Sequence, residues 1–160
     1  MTEQTKIAEQ PAILPALREL HVMYTSQQIT LLNALKDEFG PEVVTVVEQA
    51  NSTAVCQRFL AGANGKRTIE ALINFLWEPL STKGYAFTID RSDEGVQMKC
   101  TACPWAALYK NLGGAEWGFH LYCAVDEDLV EAFNPQIGFK RTKTLMEGHD
   151  SCDHFYYLKR

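Results

Sequence analysis

In the first half of the chain, apolar residues recur every three or four positions, which is the spacing of helices that each bury one face. The first helix carries its apolar stripe at Leu17, Leu20, Tyr24, Leu31 and Leu35, and Gly40-Pro41 ends it. A second helix follows, with Val43, Val46, Val47, Ala50 and Ala54 on one face. A third has Ile69, Leu72, Ile73 and Leu76 and ends near Pro79. We therefore predict a flexible N-terminus over residues 1–12 and a helical layer over 13–80.

After Gly84 the period changes from helical to alternating. Tyr85, Phe87 and Ile89, then Val96, Met98 and Cys100, predict a β-hairpin around the turn "RSDEG". Two helices are predicted next, over 104–113 and 115–133. Two strands, 137–145 and 152–159, flank the turn "MEGHDS". The chain is thus predicted to be α+β, one compact domain whose ββ-αα-ββ unit at 84–160 carries the catalytic or ligand-binding residues. Any pocket should lie between an antiparallel four-stranded sheet and helices.

Length and charge restrict the partners. The 160 residues carry a formal net charge of −5, which disfavours a nucleic-acid partner. Neither a signal peptide nor an apolar run of about 20 residues is present, so we expect a cytoplasmic protein without a membrane partner. Five cysteines in such a chain indicate thiols, metal ligands or nucleophiles rather than disulfides. The helical half could pack over the sheet, or form a lid or a dimer interface in a homo-oligomer.

One carboxylate interrupts the apolar face of the predicted helix 115–133. Asp126 lies in the sector formed by Phe119, Tyr122, Cys123, Val130 and Phe133. A buried carboxylate needs a partner. One alternative is that a cation or backbone N–H groups satisfy Asp126 structurally. The other is that Asp126 is a functional-site carboxylate that faces the sheet, with Arg141 as its basic partner. Cys123 shares this face, and His120 three residues earlier offers a weak metal-binding pair with it.

The pair Cys100-x-x-Cys103 stands where a strand enters a helix. With Cys123 and Cys152 it could form a four-cysteine zinc site, although the spacing lacks a second close pair. Alternatively, Pro104 places the Cys103 thiol at a helix N-terminus, where the partial positive charge should lower its pKa.

The densest reactive stretch is "RTKTLMEGHDSCDHFYY", residues 141–157. On a regular strand, Arg141 shares a face with Ile137 and Phe139. Cys152 shares a face with His154, whereas Asp153 points away, so Cys152 and Asp153 should not enter one pocket. Glu147 and His149 lie on the connecting turn, where either could act as a general acid or base.

These residues resemble the L-2-amino-thiazoline-4-carboxylic acid hydrolase family. The resemblance lies in Cys103-Pro104, in "YCAVDED" and above all in "RTKTLMEGHDSCDH", and it covers roughly residues 95–158. Family members usually have an aromatic residue where this chain has His154. The layout also resembles the small-molecule-binding domain of 4-vinyl reductases, which implies a sensor or carrier as the alternative to an enzyme. A third possibility is an accessory subunit whose helical half docks a partner.

The resemblance implies ring-opening hydrolysis of a small-molecule carboxylate, a cyclic amidine of the thiazoline type. Arg141 would hold the carboxylate, with Thr144, His149 and Cys103 as further substrate contacts. Cys152, or Cys123 as second choice, would attack the ring carbon or ligate a divalent metal, zinc or manganese, that activates water. The acids would move protons or bind the amidinium group: Glu147, Asp126 and Asp153.

Overall fold

The computed structural model describes residues 13–160, so the predicted flexible segment 1–12 lies outside the described residues. Three helices form the first half: α1 (Ile13–Phe39), α2 (Glu42–Gly62) and α3 (Ile69–Leu76), followed by a 3₁₀ turn, Glu78–Leu80. Gly40, with a positive φ of 92°, and Pro41 separate α1 from α2. Thr68 caps α3, because its side chain accepts a hydrogen bond from the Ala71 N–H. The three predicted helices are therefore confirmed.

The second half builds one antiparallel sheet. The hairpin of β1 (Ala86–Ser92) and β2 (Gly95–Ala102) comes first, and α4 (Pro104–Asn111) follows. The chain then passes through α5 (Ala115–Gly118), a π-helical turn (Phe119–Cys123) and α6 (Val125–Phe133) to β3 (Ile137–Lys140) and β4 (Cys152–Leu158). The strand order is β1-β2-β4-β3. The α+β prediction with four antiparallel strands is confirmed.

Two predicted elements are interrupted. The helix 115–133 contains the π turn, in which the Ala124 N–H bonds to the Phe119 carbonyl at 2.9 Å, five residues back. The extra residue breaks the helical register between Phe119 and Asp126. The strand 137–145 ends at Lys140, because Asp153 accepts hydrogen bonds from the Thr142 and Lys143 N–H groups, at 2.9 and 2.8 Å. The predicted strand 137–145 is therefore too long, and Arg141 lies beyond the end of β3, where strand alternation does not apply.

The core joins both halves of the chain. The largest cluster packs α3 and α6 against the inner face of the sheet: Leu72, Ile73, Trp77, Val96, Met98, Cys100, Leu129, Val130, Phe133, Ile137, Cys152 and Tyr156. Within it the Trp77 indole N–H donates to the Tyr156 hydroxyl at 3.0 Å. A smaller cluster surrounds Trp117 and Tyr109. No helix among residues 13–160 combines the length and hydrophobicity of a membrane span.

The apolar stripe of α1 that the sequence predicted to be buried lies on the exposed side of the helix. Leu17, Leu20, Tyr24, Leu31 and Leu35 are exposed, whereas Thr25 and Ile29 are buried. The buried side packs against Gly114, where the absence of a side chain leaves room for Ile29. A Cβ added to Gly114 would lie 2.3 Å from Ile29 Cδ1.

Candidate functional site

A cavity of about 360 Å³ lies between the sheet and the helices. Its floor is the inner face of β2 and β4, and its walls come from α2, the start of α4, the π turn and α6. The cavity is lined by charged, imidazole and thiol side chains and by aromatic rings. The first group is Arg58, Cys100, Cys103, Cys123, Asp126, Cys152 and His154, and the rings are Trp77, Tyr85, Trp105 and Tyr122. The volume falls within the range of small-molecule sites. A mostly apolar chamber with few polar groups suits a small, flat ligand.

Asp126 is the one carboxylate in the cavity wall formed by the described residues. Its Oδ2 accepts a hydrogen bond from Arg141 Nη1 at 2.5 Å and lies 3.2 Å from His154 Nε2. Arg141 Nη1 also donates to the Cys123 carbonyl at 2.8 Å. The guanidinium therefore compensates the carboxylate in surroundings that are otherwise apolar, which a buried charge requires. The pairing of Asp126 with Arg141 agrees with the sequence analysis.

The guanidinium of Arg141 does not line this cavity, contrary to its predicted role. Arg141 lies behind Asp126, in an outer groove with Phe119 and Phe139. Its Cζ atom is 5.6 and 5.8 Å from the centroids of those two rings. The chain leaves β3 one residue before Arg141, so its side chain reaches Asp126 from the edge of the sheet. In this position Arg141 holds the Asp126 carboxylate of the cavity wall.

Cys152 begins β4 and points into the cavity with His154, as the alternation of the strand predicted. Its Sγ accepts a hydrogen bond from the Leu145 N–H at 3.2 Å, and Cys100 is its direct partner on β2. The Cys100 thiol, together with the Leu145 N–H and the nearby His154 and Arg141, lowers the pKa of Cys152 despite its burial. The reciprocal effect raises the pKa of Cys100. Within this pair Cys152 has the lowered pKa, which makes it the more readily ionised thiol.

The other cavity thiols differ from Cys152. Burial raises the pKa of Cys123, with the Asp126 carboxylate adding to the effect. Cys103 does cap α4, since its Sγ accepts a hydrogen bond from the Ala106 N–H at 3.5 Å. Burial nevertheless raises the pKa of Cys103 and outweighs the helix terminus. This direction is opposite to the one that the helix terminus alone predicts for Cys103, and burial likewise makes Cys123 a less readily ionised thiol than Cys152.

The predicted metal sites do not form. Among residues 13–160, no three His, Cys, Asp or Glu side chains are grouped so that they could hold a metal ion, which removes the four-cysteine zinc site. His120 is not among the cavity residues; its Nδ1 contacts Glu48 on α2. Cys123 lines the cavity and His120 does not, so the two side chains do not share this site.

The turn after β3 keeps four predicted site residues out of the cavity. Thr144 is buried, but its hydroxyl donates to Glu147 Oε2 at 2.8 Å and accepts from the Glu147 N–H at 3.1 Å. Glu147 and His149 are exposed, and the His149 N–H bonds to the Thr144 carbonyl at 3.2 Å. Asp153 binds the backbone of the same segment. These residues shape the turn that brings the Leu145 N–H to Cys152.

Two cavity residues were missed as functional groups. His154 is only 6% exposed, and its Nδ1 is a buried nitrogen without a hydrogen-bond partner in the described structure. The alternation along β4 puts His154 on the same face as Cys152, and this is the sequence signal for a shared pocket. Arg58 on α2 lies at the solvent-exposed edge of the cavity. Only the fold brings α2 to the cavity, so no local pattern marked Arg58.

Comparison with known proteins gives a family match and two similar folds. Residues 19–156 match the family model of L-2-amino-thiazoline-4-carboxylic acid hydrolase. The phenol-responsive sensory domain of the transcription activator PoxR, solved with phenol, aligns with a TM-score of 0.51 and 11% identity, covering 84% of this chain and 74% of that one. A trafficking protein particle complex subunit 3 from Naegleria fowleri, covalently bound to palmitic acid, aligns with a TM-score of 0.52 and 9% identity, covering 89% and 97%. No curated protein sequence matches significantly. At such low identities the two structures show a shared fold alone.

Proposed function

The chain belongs to the L-2-amino-thiazoline-4-carboxylic acid hydrolase family, and on that premise we propose that it opens the ring of a small cyclic amidine carboxylate in the cavity described above. One observation carries the proposal. Cys152, His154 and Asp126 line the same chamber, and the pKa of the Cys152 thiol is lowered there. A thiolate, an imidazole and a carboxylate that contacts the imidazole are the groups that nucleophilic catalysis uses.

Asp126 is the group suited to the amidine. A protonated cyclic amidine presents a planar pair of N–H donors, which a carboxylate accepts well. Asp126 has a fixed orientation because Arg141 and His154 both contact its Oδ2 atom. The aromatic rings of Trp105 and Tyr122, stacked with their centroids 4.1 Å apart, form a flat wall of the same chamber.

Cys152 would supply the nucleophile. Its thiolate adds to the amidine carbon, and the ring C–S or C–N bond breaks while the leaving atom takes a proton. Water then adds to the same carbon and expels the Cys152 thiolate, so the product contains one more water than the substrate. His154 would exchange the protons, since its buried Nδ1 has no hydrogen-bond partner among residues 13–160. The ring atom that leaves is decided by how the substrate lies against Asp126.

Arg58 would hold the substrate carboxylate in place of Arg141. Its side chain is exposed at the cavity edge, and its Nε donates to the Ala54 carbonyl at 3.3 Å. The terminal guanidinium N–H groups are therefore available in the described structure for a bidentate carboxylate contact. A substrate oriented this way has its charged group at the entrance and its amidine at Asp126.

A binding or sensing role is the second candidate, and the apolar lining favours it. The similar folds include a domain that responds to phenol and a subunit that carries covalent palmitic acid. The described cavity combines aromatic walls with four thiols, which would suit an aromatic or acyl ligand. Such a protein would bind its ligand without turnover.

Titration calorimetry and product analysis on the same sample separate the two candidates. The full chain is mixed with 2-amino-thiazoline-4-carboxylate, phenol or palmitate, and each mixture is examined for heat of binding and by mass spectrometry for added water. A hydrolase gives ring-opened product from the thiazoline. Binding of phenol or palmitate with an intact thiazoline would instead support the sensor.

A further inference from the structure

Helix α1 uses one narrow side for the interior. Thr25 and Ile29 are buried, and Leu32 and Lys36 are half-buried. These four residues recur at intervals of four, three and four, which places them on a single stripe of the helix. Most of the remaining surface of this 27-residue helix is open to solvent in the described structure.

A second apolar stripe lies on the open surface of α1. It consists of Leu17, Leu20, Tyr24, Leu31 and Leu35, which are 42–65% exposed. At about 100° per residue these five side chains fall within roughly 60° of one another and about 110° from the buried stripe. Scattered single apolar residues are normal on a protein surface, but a continuous stripe of this length marks a contact surface.

Four of the five stripe residues, all except Leu17, have a spacing that is the same in both directions along the helix. Leu20, Tyr24, Leu31 and Leu35 are separated by four, seven and four residues. When two copies of α1 cross antiparallel about the midpoint between Gln27 and Gln28, Leu20 lies opposite Leu35, and Tyr24 lies opposite Leu31. A two-fold interface requires this reciprocity, since each residue must meet on the partner copy the residue that meets it in return.

The area is also of the size that a dimer needs. Met23 and Phe39, 44% and 62% exposed, flank the stripe on its two sides. Seven large side chains of this exposure contribute on the order of 100 Å² each, close to the ~800 Å² that each partner buries in a standard stable interface. The candidate cavity lies between the sheet and the helices, and among the described residues Gln28 is the one residue of α1 that lines it.

We propose that this surface is a homodimer interface, in which the α1 stripe of one copy packs antiparallel against the α1 stripe of a second copy. The central residues Tyr24 and Leu31 would form its core, paired twice by the two-fold axis. This inference is independent of the proposed hydrolase activity.

Sedimentation velocity on the full chain tests the proposal with two matched variants. Leu31 and Leu158 are both leucines, and they are 65% and 64% exposed. The wild type should sediment as a dimer, Leu31→Lys as a monomer and Leu158→Lys as a dimer. A monomeric wild type at 100 μM would overturn the proposal, as would a Leu31→Lys dimer of unchanged affinity. Circular dichroism confirms that each variant is folded.

Cross-linking tests the antiparallel register. A mixture of Tyr24→Cys and Leu31→Cys chains should form a disulfide-linked heterodimer on mild oxidation. Tyr24→Cys alone should cross-link far less, because two copies of residue 24 are separated by about 10 Å along the helix axis. Efficient cross-linking of Tyr24→Cys with itself would place the copies in another register and overturn the proposed arrangement.

Discussion

Replacement of Arg141 with methionine tests whether the Asp126 carboxylate depends on its buried partner. The side chains of Arg141 and Asp126 are only 12% and 21% exposed. Removing one partner of a buried pair costs about 3–5 kcal/mol, because the other charge is left without compensation. The Cys123 carbonyl also loses its donor, but the contact of Asp126 Oδ2 with His154 Nε2 at 3.2 Å is kept. We therefore expect Arg141→Met to lower the free energy of unfolding by about 3 kcal/mol.

Urea unfolding at pH 7, followed by tryptophan fluorescence, measures this effect. In a chain of this length, about 3 kcal/mol corresponds to a Tm lower by roughly 10 °C. Arg91→Met is the matched control, since Arg91 makes two hydrogen bonds to Glu70, at 2.8 and 2.9 Å, in a pair whose side chains are both 51% exposed. That control should lose less than about 1 kcal/mol.

A double variant identifies the cause. Adding Asp126→Asn to Arg141→Met removes the uncompensated charge and should restore part of the lost stability. Equal losses for Arg141→Met and Arg91→Met would refute the reasoning, because burial would then not determine the strength of the pair. A double variant that is less stable than Arg141→Met would refute it as well.

Three further predictions concern a thiol, a cation and a glycine. Iodoacetamide should alkylate Cys152 before the other four cysteines, because its lowered pKa preserves the thiolate as the pH falls. The alkylation rate should therefore reach its plateau below the ordinary thiol pKa of about 8.5. Peptide mapping that finds faster labelling of another cysteine would contradict this prediction. Arg58→Gln should raise the KM for a carboxylate substrate at least tenfold with little change in kcat, and should leave the KM for the corresponding uncharged amide unaltered. Gly118→Ala should lower the free energy of unfolding by about 1–3 kcal/mol, although alanine favours helices. The added Cβ would lie 2.6 Å from Met146 Sδ and 2.8 Å from Tyr109 Cγ. An unchanged urea midpoint would contradict this, because it would show that the surrounding side chains can make room.

Local periodicity was sufficient for the elements but not for all their ends. Alternation along β4 correctly placed Cys152 and His154 on the cavity side and Asp153 on the other. The early end of β3 was not visible, because it depends on Asp153, more than ten residues later, taking the N–H groups that a longer strand would use. The π turn likewise has no apolar signature of its own.

The site was predicted where one element determined it and missed where several elements meet. The helical wheel found Asp126 as a carboxylate on an apolar face, and Arg141 is its partner. The pKa of Cys103 was predicted in the wrong direction, since burial outweighs the helix terminus and burial is a property of the whole fold. Arg58 is separated from Cys152 by more than ninety residues, so only the packing of α2 could bring it to the cavity.

The rate of ring opening by cysteine variants tests the central claim most directly. Wild type, Cys152→Ala and Cys123→Ala are each incubated with 2-amino-thiazoline-4-carboxylate, and the product with one added water is quantified by mass spectrometry. We predict turnover by the wild type, at least a hundredfold loss in Cys152→Ala and little change in Cys123→Ala, whose thiol lines the same cavity but has a raised pKa. Full activity in Cys152→Ala, or no turnover by the folded wild type, would contradict the account.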